Sequence, residues 1–193
     1  MKTKVFFISA LMAILPLGLV AQNSGKRSAL EMNGALSLSS FFSGETVTGA
    51  GAEALFHYRL AKQLGIYGGW GYNVFRNDYP PAGYRCDFEE TGYSIGLQYK
   101  HKIEFFNSSL FVRGGCLYKH IEIEDPSGEL LFDTTHRPGW QAGCGIDIPV
   151  AEKWSIVSEA RFSSLNERKA QTNTSPIPVR NYFSIRLGIL KKF

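Results

Sequence analysis

Residues 182–193 read Tyr182-Phe183-Ser184-Ile185-Arg186-Leu187-Gly188-Ile189-Leu190-Lys191-Lys192-Phe193, and this stretch decides the fold. Apolar side chains occupy every second position from Phe183 to Ile189, and Ser184, Arg186 and Gly188 lie between them. Successive side chains of a strand point to opposite faces of a sheet. The period of two therefore predicts a β-strand with one apolar face and one polar face.

The same alternation recurs upstream, between segments rich in Gly, Pro, Asn and Asp. In one stretch, for example, Trp140 and Ala142 alternate with Gln141 and Gly143. No stretch after the N-terminal region shows a convincing helical period. The sequence therefore predicts eight strands, at residues 29–42, 49–60, 64–75, 88–100, 109–123, 139–148, 154–165 and 180–193.

The predicted connections between these strands alternate in length. Short turns fall at residues 61–63, 101–107 and 149–153. Longer links fall at residues 43–48, 76–87, 124–138 and 166–179. An up-and-down series of antiparallel strands, with short turns at one end and long loops at the other, is typical of bacterial outer-membrane barrels.

The N-terminus predicts a secretory signal peptide over residues 1–21. Lys2 and Lys4 precede an uncharged run, and Ala21 precedes a polar residue. A transmembrane anchor is the alternative, but Pro16 and Gly18 interrupt the run, which is shorter than the roughly 20 residues that a spanning helix needs. Cleavage after Ala21 leaves residues 22–193 as a single domain. The expected cleavage point lacks the Cys that a lipid-anchored lipoprotein would have, so we do not expect a lipoprotein.

Charge and cysteine content exclude several classes of function. The chain has 21 basic and 17 acidic residues, and loss of Lys2 and Lys4 leaves 21 − 2 = 19 against 17. This small excess gives no reason to expect a nucleic-acid partner. The unevenly spaced cysteines form no disulfide framework and no zinc motif. The glycine cluster at residues 68–71 lies within a strand pattern and is no phosphate loop, so we expect no cofactor and no metal.

Two features favour a membrane barrel over a soluble lipocalin-like barrel. The polar face is rich in glycine, which suits the narrow interior of an eight-stranded barrel: Gly65, Gly69, Gly71, Gly115, Gly143 and Gly145. Aromatic residues of the apolar face gather at its two ends, as two lipid–water interfaces favour. They are Tyr58, Tyr99, Trp154 and Phe193 towards the short turns, and Phe42, Trp70, Tyr72, Tyr118, Trp140, Phe162 and Phe183 towards the long loops.

The C-terminal stretch resembles the last strand of outer-membrane β-barrel proteins, and the mature chain resembles the small OmpA/OmpX-like family. This resemblance implies an all-β, eight-stranded, antiparallel, up-and-down transmembrane β-barrel in the Gram-negative outer membrane. It implies a monomer that contacts outer-membrane lipid and lipopolysaccharide. It also implies an assembly signal that the barrel-assembly machinery reads, from which Lys191 departs: Phe183, Ile185, Leu187, Ile189 and Phe193.

Charged residues of the polar face are expected to form a network inside the barrel. Buried charges are normally paired, because an unpaired one is costly. A polar plug is favoured over a narrow conductance pathway, since eight strands leave no wide channel. The predicted network comprises Glu53, His57, Arg59, Arg113, Lys119, Asp147, Glu159, Arg161 and Arg186.

These observations favour a non-enzymatic surface protein with a structural, adhesive or surface-interaction role. The alternatives are a lipid A-modifying enzyme and a soluble ligand carrier. Lipid A deacylases use a lipid-facing His-x-Ser segment, and the nearest match here has Arg161 where the His would stand, two residues before Ser163. Arginine stays protonated and is no general base, so we expect no catalysis.

The remaining candidates lie in the loops and among the cysteines. Basic loop residues are candidates for contacts with lipopolysaccharide phosphates, although a solvated rim is the favoured interpretation because a few scattered charges are ordinary: Arg137, Arg168, Lys169 and Arg180. The sequence identifies no other loop partner. Cys116 and Cys144 are expected nearly opposite each other on the lipid face, as free thiols rather than as a disulfide. Cys86 is expected in a polar loop, as a reactive group or as a cap.

Overall fold

The computed structural model describes residues 30–43, 45–79, 82–103, 107–166 and 181–193. The predicted signal peptide, residues 1–21, lies outside these ranges. The described residues form nine strands: β1 (Leu30–Ser43), β2 (Glu45–Arg59), β3 (Leu64–Tyr79), β4 (Tyr84–Ile103), β5 (Ser108–Glu124), β6 (Leu130–Asp133), β7 (Arg137–Ala151), β8 (Trp154–Leu165) and β9 (Asn181–Lys192).

Eight long strands close into an antiparallel barrel, which confirms the predicted fold. The order β4-β3-β2-β1-β9-β8-β7-β5 is completed by pairing between β4 and β5. The seam between the first and last strands joins Glu31 to Lys192 and Ser40 to Phe183. β6 is an additional short strand, which pairs with the last residues of β5. These residues lie at the end of the barrel opposite the short turns, which is called the outer end below. Within the described ranges no helix has the length and apolar character needed to cross a membrane.

Three of the long links predicted from the sequence contain residues that belong to strands in the structure. β1 and β2 continue to the pair Ser43–Glu45, and β3 and β4 continue to the pair Tyr79–Tyr84. Turn-forming residues after Phe75 hide this extension in the sequence. Arg76 and Asp87 are cross-strand partners there, with Arg76 Nε 2.7 Å from Asp87 Oδ1. The segment predicted as the loop 124–138 contains β6.

The apolar side chains of the alternating pattern form the outer surface of the barrel. Leu36 and Leu38 remain 71% and 72% exposed, and Ile95 and Leu187 are similarly exposed in the middle of the band. A protein that folds in water rarely exposes so continuous an apolar surface. Exposed aromatic residues border the band towards the short turns, at Tyr58, Tyr99, Trp154 and Phe193, and towards the other end, at Tyr118, Trp140, Phe162 and Phe183.

Small residues make the interior narrow at the level of Tyr67. Gly96 and Gly115 are paired across β4 and β5. A Cβ atom on either glycine would lie 2.7 Å from the Tyr67 hydroxyl and closer still to backbone of the neighbouring strand. The two glycines therefore leave the space that the buried tyrosine occupies.

The outer end of the lumen is apolar, which the alternation did not predict. A cluster of buried side chains from seven strands fills it, around Phe75 and Phe88, neither of which has any exposed surface. The cluster consists of Phe41, Val47, Phe75, Cys86, Phe88, Leu117, Ile121, Ile123, Leu165 and Tyr182. These residues lie beyond the polar layers, towards the outer end of the lumen.

Candidate functional site

The middle of the lumen is occupied by a cluster of three arginines and two glutamates. Arg161 donates to Glu53 through Nη1 and Nη2, at 2.9 and 3.2 Å, and to Glu159 at 3.0 and 2.8 Å. Arg113 donates to Glu159 through Nε at 2.5 Å and through Nη2, and Arg186 donates to Glu53. All five side chains are buried. This mutual pairing compensates charges that burial alone would make costly.

A second polar layer lies between this cluster and the apolar end. Glu90 has no exposed surface and accepts hydrogen bonds from Lys119, Tyr182 and Asn73, at 2.6, 2.6 and 3.0 Å. Asn73 in turn accepts a hydrogen bond from Ser37 on β1. The layer therefore ties β1, β3, β4, β5 and β9 together across the lumen.

The short-turn end of the barrel opens into a vestibule of about 420 Å³. Lys100 bridges Glu31 and Asp147 there, at 3.1 and 2.8 Å, and Arg59 lies 3.2 Å from Glu31. His57 is buried in the wall of this vestibule, and neither of its ring nitrogens has a hydrogen-bond partner among the described residues.

These layers occupy the lumen one above the other. The cavity between Glu53 and Lys119 measures about 10 Å³. One water molecule needs about that much space. Above it the apolar cluster continues to the outer end.

The structure places all nine residues of the predicted network in the lumen or its vestibule, with Arg59 the most exposed of them. The prediction omitted three charged residues that complete the pairs: Glu31, Glu90 and Lys100. Each occupies one of the alternate positions of its strand whose side chains point into the barrel, so the same alternation would have identified it. It also omitted Tyr67 and Gln141, which are buried beside Arg113 and Arg161 and share a 3.0 Å hydrogen bond.

The geometry counts against both alternative functions. The lipid A hypothesis needs a reactive serine on the lipid face, but Ser163 is 2% exposed and points into the lumen. A soluble carrier needs an apolar cavity for its ligand. Here the apolar band lies on the outer surface of the barrel, and the lining of the vestibule includes many charged residues.

The outer end forms a rim with an excess of acidic side chains over basic ones in its described part. Asp125 organises the turn between β5 and β6, accepting hydrogen bonds from Ser127 and Glu129, and these donors lower the pKa of its carboxyl. Of the basic residues considered as candidates for lipopolysaccharide contacts, Arg137 starts β7, and Arg168, Lys169 and Arg180 lie outside the described residues. The acidic residues of the rim are Asp78, Asp87, Glu89, Glu122, Glu124, Asp125, Glu129 and Asp133.

The predicted assembly-signal residues lie on the outer face of β9 and just beyond it. All are exposed: Phe183, Ile185, Leu187, Ile189 and Phe193. Lys191, which breaks the alternation, lies at the aromatic border, with its Nζ 5.3 Å from the Trp154 ring and 5.0 Å from the Phe193 ring. A lysine suits this position because its stem covers apolar surface while its ammonium contacts aromatic faces.

Two expectations for the cysteines are wrong. Cys86 is in β4 and is 1% exposed within the apolar cluster, because the hairpin extends beyond its predicted end. Cys116 and Cys144 are free and face outward, as expected, but they are not opposite each other. Cys116 pairs with Trp140, and Cys144 pairs with Val112. The irregular link containing β6 displaces the register from a symmetric hairpin.

Comparison with known proteins agrees with this geometry. The family described as "Outer membrane protein beta-barrel domain" matches residues 7–187. No curated protein sequence shows significant similarity to the chain.

Solved barrels share the fold at low identity. Neisserial surface protein A is 12% identical, with a TM-score of 0.67 over 87% of this chain and 99% of its own. The attachment invasion locus protein Ail of Yersinia pestis, in complex with the heparin analogue sucrose octasulfate, is 13% identical, with a TM-score of 0.58 over 87% and 100%. The N-terminal barrel of Pseudomonas aeruginosa OprF is 11% identical, with a TM-score of 0.55 over 87% and 100%.

Proposed function

The chain belongs to the outer membrane protein β-barrel domain family, and we propose that it is a closed barrel of the Gram-negative outer membrane that acts through its outer rim. The filled lumen carries this proposal. The small size of the internal cavity between Glu53 and Lys119, about 10 Å³, supports a lumen closed to solutes. The surface that remains available to a partner is the rim, and function in such scaffolds concentrates in the segments that connect the strands.

The proposed role is structural and surface-interacting, without catalysis. The acidic character of the described rim favours cationic partners, including divalent ions that bridge it to lipopolysaccharide phosphates. It does not favour direct binding of a sulfated polysaccharide, the kind of ligand that sucrose octasulfate represents in the Ail complex. The apolar band contacts lipid, and β9 presents the residues that the assembly machinery reads.

Conductance across planar lipid bilayers tests whether the lumen is closed. We expect the purified, refolded protein to show no reproducible conductance steps, because charged and apolar layers fill the barrel in series. A general porin inserted into the same bilayers serves as the positive control. Gel mobility that changes on boiling shows that the sample is folded. Stepwise currents from the folded protein would mean that the lumen opens, and a transport role would replace the one proposed.

A further inference from the structure

The outer end of β5 carries a histidine beside two carboxylates. One ring nitrogen of His120 and one oxygen each of Glu122 and Asp133 all lie within 4.8 Å of one another. His120 Nε2 is 2.9 Å from Glu122 Oε1. His120 and Glu122 share one face of β5, and Asp133 on β6 is the cross-strand partner of Glu122. Three potential ligands from two strands therefore converge on one point outside the barrel.

The backbone fixes this convergence. Thr134 N donates to Ile121 O at 2.9 Å, and Ile121 N donates to Thr134 Oγ1 at 2.8 Å. This reciprocal pair holds the end of β6 against β5 between His120 and Glu122. The ligand positions therefore do not depend on a free loop. Binding of an ion would cost less conformational entropy, because the protein segment that carries the ligands is already ordered.

A second histidine orients the first. His120 Nδ1 is 3.2 Å from His136 Nε2, and the His136 ring stacks on Tyr118 with a centroid separation of 4.9 Å. Histidines that bind metals usually donate the other ring N–H to a neighbouring acceptor, which fixes the tautomer and the ring plane. His120 can donate through Nδ1 to His136 and thereby leave Nε2 free to face Glu122 and Asp133.

We propose that His120 Nε2, Glu122 and Asp133 bind a divalent transition-metal ion of the Zn²⁺ class, with His136 as a positioning residue. One imidazole and two carboxylates are ligands that Zn²⁺ accepts, and three protein ligands leave a fourth position for water or an external group. The bound ion joins β5 to β6 at the outer end. This site is independent of whether the lumen conducts.

Titration of Zn²⁺ into the refolded, untagged protein tests the proposal. We expect one ion per chain, and we expect His120→Ala to weaken the affinity by about 100-fold or more because it removes a direct ligand. His136→Ala is expected to weaken it by about 10-fold, as loss of an outer partner does. His101→Ala is the matched control, since His101 is exposed at the opposite end, and the affinity should not change.

A neighbouring group of carboxylates, Glu89, Glu122 and Glu124, provides the competing explanation. Glu124→Gln should leave Zn²⁺ affinity within about twofold if the histidine site binds the ion. Gel mobility on boiling shows that each variant is folded. The proposal fails if the wild-type protein binds no Zn²⁺. It fails equally if His120→Ala binds as tightly as the wild type, or if Glu124→Gln abolishes binding while Ca²⁺ competes equally well.

Discussion

Replacing Glu53 with Gln should destabilise the barrel by about 3–5 kcal/mol, the usual cost of leaving buried charge without its partner. Glu53 accepts hydrogen bonds from Arg161 and Arg186 in the middle of the lumen. The cluster of three arginines and two glutamates has a net charge of +1, and the substitution raises it to +2 in a buried environment. Gln keeps the shape of the side chain, so lost charge compensation accounts for the effect.

Arg186→Met is the matched control for this prediction. It removes the surplus cation from the same cluster and brings the net charge to zero, while Glu53 keeps both contacts with Arg161. Its cost should therefore be clearly smaller than that of Glu53→Gln. Urea unfolding of the refolded proteins in lipid vesicles, followed by tryptophan fluorescence, measures both. Equal costs for the two variants would show that the charge balance of the cluster does not determine its stability.

Lys119→Met is the second change with a large expected effect, also about 3–5 kcal/mol. It leaves the Glu90 carboxylate, which has no exposed surface, with only the neutral donors Tyr182 and Asn73. Adding Glu90→Gln to the variant removes the uncompensated charge and keeps an acceptor for both donors. The double variant should therefore recover most of the lost stability.

A double-mutant cycle on Lys119 and Glu90 measures this recovery. The cycle compares the wild type, both single variants and the double variant in the same urea experiment. We expect a coupling energy of at least about 2 kcal/mol between the two positions, in the upper part of the range for residues in contact. Additive effects would contradict the direct ion pair at 2.6 Å that the structure shows.

The sequence predicts the barrel well because one physical rule governs every strand. Alternation separates lipid-facing from inward-facing side chains, so parity alone assigns Glu53, Arg161 and Arg186 to the interior. The same rule assigns Glu31 and Glu90, although the prediction omitted them. Local pattern is sufficient here because each strand has one apolar and one polar face along most of its length.

What the sequence does not predict depends on register and on the ends of the strands. The inward residues Phe75, Phe88 and Ile123 form an apolar layer only because the hairpins extend beyond the band. These apolar residues occupy inward-facing positions, which hold polar residues elsewhere in the strands. Turn-forming residues nearby make the strand extension difficult to recognise in the sequence. The offset of Cys116 from Cys144 likewise follows from the irregular link between β5 and β7.

The proposed metal site at His120 illustrates the same limit. His120 and His136 are separated by 16 positions and form no metal-binding motif in the sequence. Only the return of β6 along β5 brings Asp133 beside Glu122. The expectation that the chain binds no metal came from spacing alone, and a site built across two strands leaves no trace in spacing.

Thiol labelling on intact cells tests most directly whether the rim faces the outside. Ser127→Cys places a thiol in the exposed turn of the rim, and Glu152→Cys places one in the exposed turn between β7 and β8. The unsubstituted protein is the built-in control, because Cys86 is buried and Cys116 and Cys144 lie on the apolar band. We predict that a charged, membrane-impermeant maleimide labels only the Ser127→Cys protein. Labelling of Glu152→Cys instead, or of the native cysteines, would contradict a barrel that spans the outer membrane with its acidic rim at the cell surface.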